Sequence, residues 1–240
     1  MVVAREEIGE RSWWPHWVGA DYGFNGSQAA AYLFCKSPAG PGYPQGRVYV
    51  LEEYTAQHQK AADFALALSR RFGRSTAAAE AQRRILAWYL SPDAWAERGD
   101  DFSLAEQMRR AAGIEFQAAS TDRLGGAMLV YSQLDSGELA ISSRCTQLME
   151  AVPTRIHDTA RPDDILKVAG DPLDDCIDAL RYGLYSHVSP AAGPPGFAFD
   201  CQTAHPDPTI AMLQRRIAEQ RFVEHQRPQR YLPFPSPRRR

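Results

Sequence analysis

Lysine is almost missing from this chain of 240 residues, and several other absences narrow what it can be. Lys36, Lys60 and Lys167 are its only lysines, so arginine supplies the rest of the 27 basic residues. Arginine's fork of donors suits phosphate, although genome base composition accounts for most of such a bias. None of the three lysines follows a glycine, which excludes the GxxxxGK[ST] phosphate loop and a P-loop ATPase within this sequence. Cys35, Cys145, Cys176 and Cys201 form no CxxC pair, which argues against a zinc ribbon or a disulfide framework and for a reducing, cytosolic setting. No apolar run approaches the roughly 20 residues of a membrane span. The opening MVVAREEIGERSWW has no apolar core of a signal peptide. An excess of one charge is also lacking: the net charge is -2, so the chain is no polycation. What remains, 44% hydrophobic residues, fits a globular protein with a real core.

Hydrophobic patterning divides the chain into an N-terminal linker segment (1–15), one domain (16–188) and a C-terminal region (189–240). That region has a Pro/Gly-rich lead, a possible helix over 208–226 and the basic tail RPQRYLPFPSPRRR. HWVGADYGF (16–24) reads as a strand, Asn25-Gly26 as a hairpin signal and SQAAAYLFC (27–35) as the returning strand. RVYVLEEY (47–54) alternates as a third strand, and residues 56–72 have helical period. RILAWYL (84–90) is a fourth strand, ending at SPDAW. SLAEQMRRAA (103–112) is a helix with the capping box Ser103/Glu106. A fifth strand at 114–120 and a helix over 122–134 follow. Residues 137–168 hold a short strand at ELAIS, a helix at RCTQLMEAV and strands near TRIHD and ILKVA. Hairpins first and crossovers later predict an α/β fold, a central mixed sheet flanked by helices on both faces.

The stretch DPLDDCIDALRYGLYSH (171–187) poses a question of its own. Leu173, Ile177, Leu180 and Leu184 form an apolar helical stripe, while Asp174, Asp175 and Asp178 crowd one flank of it. Asp171 before Pro172 is a helix start, and Asp174 serves mostly as a cap. Asp178 lies about two turns in, beyond the reach of capping. Two carboxylates about 4 Å apart repel by roughly 4 kcal/mol at an effective dielectric near 20. A positive partner, arginine or a metal ion, is expected there.

Asp21 at the end of the first strand, Asp93 after the fourth and Asp178 on the helix form a pattern. With VGADYG and DDCIDALRYGL around them, these residues resemble the nuclease domain of the large terminase subunit of tailed bacteriophages. The resemblance covers roughly residues 16 to 188, and its most specific part is the Asp followed by ALRY. It implies an RNase H-like (integrase) fold and makes Asp21, Asp93 and Asp178 the metal-binding carboxylates. Asp175 matches a position that is often histidine in relatives and assists near the metals. The implied activity is a metal-dependent DNA endonuclease that cleaves concatemeric viral DNA during genome packaging. Oxygen-only ligands select Mg²⁺ or Mn²⁺. Two such ions about 3.5–4 Å apart stabilise the attacking hydroxide and the leaving 3′ oxygen. The implied partners are double-stranded DNA, a terminase ATPase domain, the small terminase subunit and the portal protein, in the cytoplasm of the bacterial host, with no membrane partner. The missing phosphate loop makes this either an excised nuclease domain or a stand-alone relative. Two other readings stand beside it: another RNase H-like DNA-processing nuclease, of junction resolvase or transposase type, and a non-catalytic portal/DNA docking module. Three converging carboxylates favour a nuclease, since a docking scaffold has no use for them.

Other features carry plainer expectations. Trp13, Trp14 and Trp17 are expected to pack the linker on the domain, with base stacking as the alternative. Glu52 and Glu53 read as an exposed strand edge, and His157 as structural. Arg181 suits a phosphate contact equally with an i, i+3 pair on the acid helix or burial against the sheet. Segment 137–143 reads equally as a hairpin guarding the cleft or as a plain edge hairpin. The basic tail is expected to be solvated, with DNA retention or capsid docking as the alternatives.

Overall fold

The computed structural model describes residues 1–24, 27–40, 42–43, 45–73, 85–96, 102–154 and 171–188. Val2–Val3 forms β1, His16–Asp21 β2, Ala29–Lys36 β3 and Val48–Ala56 β4. Helix α1 (Ala61–Phe72) leads to β5 (Ile85–Leu90), a 3-10 turn at Pro92–Trp95 and helix α2 (Leu104–Ala112). Then come β6 (Phe116–Ala118), α3 (Arg123–Asp135), β7 (Leu139–Ser142), α4 (Thr146–Thr154) and α5 (Pro172–Val188). All lie within the unit Met1–Ala191. The hairpin signal Asn25-Gly26, His157, the ILKVA strand, the bulk of TRIHD, the helix over 208–226 and the basic tail fall outside the described residues.

The strands form one sheet in the order β1-β7-β4-β3-β2-β5-β6. The pairs β2–β3 and β3–β4 are antiparallel, whereas β1–β7, β7–β4, β2–β5 and β5–β6 are parallel. Side chains that alternate along each strand feed two separate cores. Trp17, Tyr32, Phe34 and Val50 pack with α5 and α4 on one face. Val18, Ala20, Leu33 and Leu51 pack with α1 and α2 on the other. Phe64, Leu68 and Phe72 of α1 are fully buried, each stabilising the fold by roughly 1.5–3 kcal/mol. Helix α2 begins with the Ser103 half of its capping box, the Glu106 N–H donating to Ser103 Oγ at 3.2 Å while the Glu106 carboxylate accepts from Arg109 and Arg110, and it ends at Gly113 in the left-handed region.

Three expectations need correction. Residues 139–142 are neither an edge hairpin nor a guard. They form β7, inserted between β1 and β4 and buried throughout, because the two-residue β1 adds a further strand outside it. Glu52 and Glu53 are buried rather than exposed at an edge. Glu53 accepts from the backbone N–H groups of Gln147 (3.1 Å) and Leu148 (2.8 Å), so a carboxylate on β4 caps the first turn of α4. Helix α1 starts at Ala61 instead of near 56, because β4 runs on to Ala56 in register with β3. The tryptophans part ways. Trp17 is a core residue of β2, Trp14 stacks on Tyr49, and Trp13 is exposed.

Candidate active site

Strands β2 and β5 are parallel neighbours, with Gly19 opposite Tyr89 and Ala20 opposite Leu90. Parallel pairing sends both C-terminal ends to the same edge of the sheet. Asp21 closes β2 there, and Asp93 lies just past β5 in the Pro92–Trp95 turn. Between them sits Ser91, whose N–H extends the ladder to the Ala20 carbonyl at 3.0 Å. Its buried hydroxyl accepts from the Tyr22 N–H at 3.3 Å.

Helix α5 is brought onto the same edge by two glycines. A Cβ on Gly19 would stand 2.3 Å from Gly183 Cα and 2.6 Å from the Ala179 carbonyl oxygen. One on Gly183 would stand 2.2 Å from the Phe34 ring. Strand and helix backbones therefore touch, and the Trp17 indole fastens them by donating to the Gly183 carbonyl at 2.8 Å. From this contact Asp21 is two residues along the strand, about 7 Å. Asp178 is five residues back along the helix, also about 7 Å. Asp21 has the parity of Trp17 and Gly19, so it faces α5.

The electrostatics match that placement. The Asp21 carboxyl is pushed up to about 7, first by burial and then by repulsion from Asp178, Asp175 and, more weakly, Asp93; a hydrogen bond with Ser91 opposes the shift. All four acids singled out from the sequence thus act on one point. The Tyr182 phenol, also raised by burial, Asp21 and Asp178, stays protonated. Asp178 is buried and Asp93 exposed at the rim. Asp175 is tied to the start of β3, its Oδ2 accepting from the Gln28 N–H at 2.8 Å. Buried Arg181 donates from Nε and Nη2 to Asp178 Oδ1 at 3.3 and 3.2 Å and lies over the Tyr182 ring at 4.3 Å. It therefore forms the expected i, i+3 pair, and its stem is buried where it meets Gly126 of α3.

Sequence reasoning passed over Ser91, Gln28 and Tyr182. Tyr182 stands within the ALRY motif, a signal that was present; Ser91 and Gln28 act only through strand pairing and had none. Among the described residues, no group of three or more His, Cys, Asp or Glu side chains is arranged to hold a metal ion. The donor set is nevertheless of one chemistry, carboxylate oxygens that repel one another, and this suits a hard dication.

No protein-family profile matches the sequence, and no curated protein is similar to it in sequence. Solved structures are similar in fold. The large terminase of the thermophilic bacteriophage D6E superposes with a TM-score of 0.58 at 17% identity, over 77% of this chain and 41% of that one. Its complex with ADP gives 0.59 at 16%, over 77% and 42%. The nuclease domain of the P22 large terminase gives 0.55 at 16%, over 72% and 81%. The chain spans about two fifths of the length of the D6E protein. The fold is therefore RNase H-like α/β, shared with the nuclease domain of large terminases. Among the described residues no helix is long and apolar enough to cross a membrane.

Proposed function

From the fold shared with large-terminase nuclease domains, we propose that this chain is a metal-dependent endodeoxyribonuclease that cuts concatemeric viral DNA during genome packaging. The observation that carries the reading is that Asp21, Asp93 and the pair Asp175 and Asp178, from three separate segments, lie near one sheet end, where burial and the other three acids raise the affinity of Asp21 for a proton. Fold stability alone disfavours such a cluster.

Asp21, Asp93 and Asp178 would hold Mg²⁺ or Mn²⁺, in a two-metal site. When bound, such ions supply Lewis-acid stabilisation of the charge that builds on the phosphodiester oxygens in the transition state. Arg181 orients Asp178, and the Gln28 N–H fixes Asp175 at its side. Glycine contact between β2 and α5 sets Asp21 and Asp178 on regular elements, while Asp93 stands in the turn past β5. Double-stranded DNA is the substrate. A terminase ATPase domain, the small terminase subunit and the portal protein are the partners, in the cytoplasm of the bacterial host.

The test is nicking and linearisation of supercoiled plasmid with Mn²⁺, Mg²⁺ or EDTA, beside the Asp178→Ala protein. Metal-dependent cleavage by the wild type and at least a 10³-fold loss in a folded Asp178→Ala variant are expected, a loss of about 4 kcal/mol or more in the barrier. Cleavage that survives in the folded variant overturns the site, and no cleavage with either metal overturns the function.

A further inference from the structure

Beside the acid cluster the surface opens into a cleft of about 490 Å³, and Asp93 is part of its wall. Among the other side chains that shape it are Tyr22 and Phe24, just past β2, Lys60 at the start of α1, and Leu104 and Gln107 on α2. Its chemistry differs from that of the acids. Phe24 exposes 39% of its surface although it is fully aromatic. It is held edge-on by His58, with ring centroids 6.3 Å apart. His58 is, among the described residues, the one non-glycine residue with positive φ, at 52°. Such backbone strain persists only where surrounding structure fixes it. Tyr22 is fixed by its hydroxyl, which donates to the Gln59 carbonyl at 2.9 Å, and Gln107 by its amide, which donates to the Phe102 carbonyl at 2.8 Å. The cleft is thus preformed, with an aromatic face, a lysine ammonium and an amide in a lining of mixed polar and apolar character.

We propose that this cleft binds one strand of DNA, seating the nucleotide next to the one being cut: Phe24 stacks on its base and Lys60 contacts its phosphate. The inference rests on the nuclease reading for the position of the cut strand. The size suits a single nucleotide. A volume of 490 Å³ lies within the roughly 300–1,000 Å³ of small-ligand pockets, room for a nucleotide and none for a double helix. An aromatic face combined with a cation is the pairing that holds single strands without reading sequence. Position supports it as well. Because Asp93 belongs to both the acid cluster and the cleft wall, a strand seated on Phe24 passes the rim of the acid cluster at Asp93. Lys60 also places a positive charge where the acids would otherwise repel the backbone. The strand must therefore leave its partner locally at the point of cutting, and frayed or nicked sites are engaged ahead of intact duplex.

The test uses the full chain in EDTA, so that nothing is cleaved. Its probes are a fluorescein-labelled ten-nucleotide oligothymidylate and a ten-base-pair duplex, both followed by fluorescence anisotropy. Phe24→Ala is expected to weaken oligothymidylate binding about tenfold. Lys60→Ala is expected to lower the slope of log affinity against log salt by about 0.7. Both are expected to change duplex binding less than about twofold, as the exposed sites and the uncapped Lys60 side chain leave the fold undisturbed. Unchanged oligothymidylate binding in both variants overturns the proposal, and so does an equal loss for the duplex. Plasmid cleavage with Mn²⁺, run alongside, separates the two readings. Cleavage by the wild type without the Phe24 and Lys60 effects removes the cleft and keeps the nuclease. The two effects without any cleavage keep a strand-binding cleft and remove the nuclease.

Discussion

Asp21 is held in a place that costs the fold stability. Its carboxyl is raised to about 7 by burial and by Asp178, Asp175 and Asp93, so the folded chain binds its proton more tightly than the unfolded one does. The sign follows. Between about pH 4 and pH 7 the folded state carries the extra proton, and stability of the metal-free protein from this group falls as pH rises through that window. Asp21→Asn is neutral throughout. It is therefore expected to raise the melting temperature of the metal-free protein at pH 8 by a few degrees, with the gain shrinking as pH falls toward 4, while cleavage is lost. Thermal melts of both proteins in EDTA at pH 5 and pH 8 check this; an Asp21→Asn protein less stable than wild type at pH 8 removes the argument. The charge pattern behind it was legible in the sequence, because Asp178 lies too far into α5 to be a cap. Its partner Arg181 was visible at i, i+3, but which of its roles it fills required the buried geometry.

At the level of elements, the seam between β2 and α5 decides the site. Gly183→Ala drives a methyl group to 2.2 Å from the Phe34 ring, with Gly19 Cα at 3.0 Å. Overpacking of this kind costs about 1–3 kcal/mol. Here it also lifts α5 from the strand and carries Asp178 away from Asp21. Gly183→Ala is therefore expected to lower the urea midpoint and, in protein still folded, to reduce cleavage more than tenfold; a destabilised variant with full activity would separate seam from site. Strand and helix identities were largely readable, since period and caps are local: the Ser103 cap stands where the sequence put it. What could not be read is non-local. Nothing near Val2–Val3 announces a two-residue strand, because its stability comes from β7, far along the chain. Glu53 looked like an exposed edge because the helix it caps lies about 95 residues on. Gly19 and Gly183 each look like ordinary glycines until they face one another.

For the whole molecule, a ligand that binds only the folded state adds stability by mass action. At a hundred times its dissociation constant that amounts to about 2.7 kcal/mol. Mn²⁺ is accordingly expected to raise the melting temperature by several degrees, and Asp178→Ala is expected to abolish most of the rise. A shift equal in both proteins would place the metal elsewhere. The parallel order of the sheet has one more consequence, which concerns time rather than space. Asp21 at the end of β2 and Asp93 just past β5, two strands that pair with one another, are synthesised before Asp178, which sits on the last helix among the described elements. A nascent chain folds from its N-terminus as it emerges. Until α5 has left the ribosome and docked on Gly19, such a chain carries two carboxylates and lacks the third. Under the proposed function, a site assembled in this order is incomplete until its last helix docks, so cutting begins only after that helix is in place.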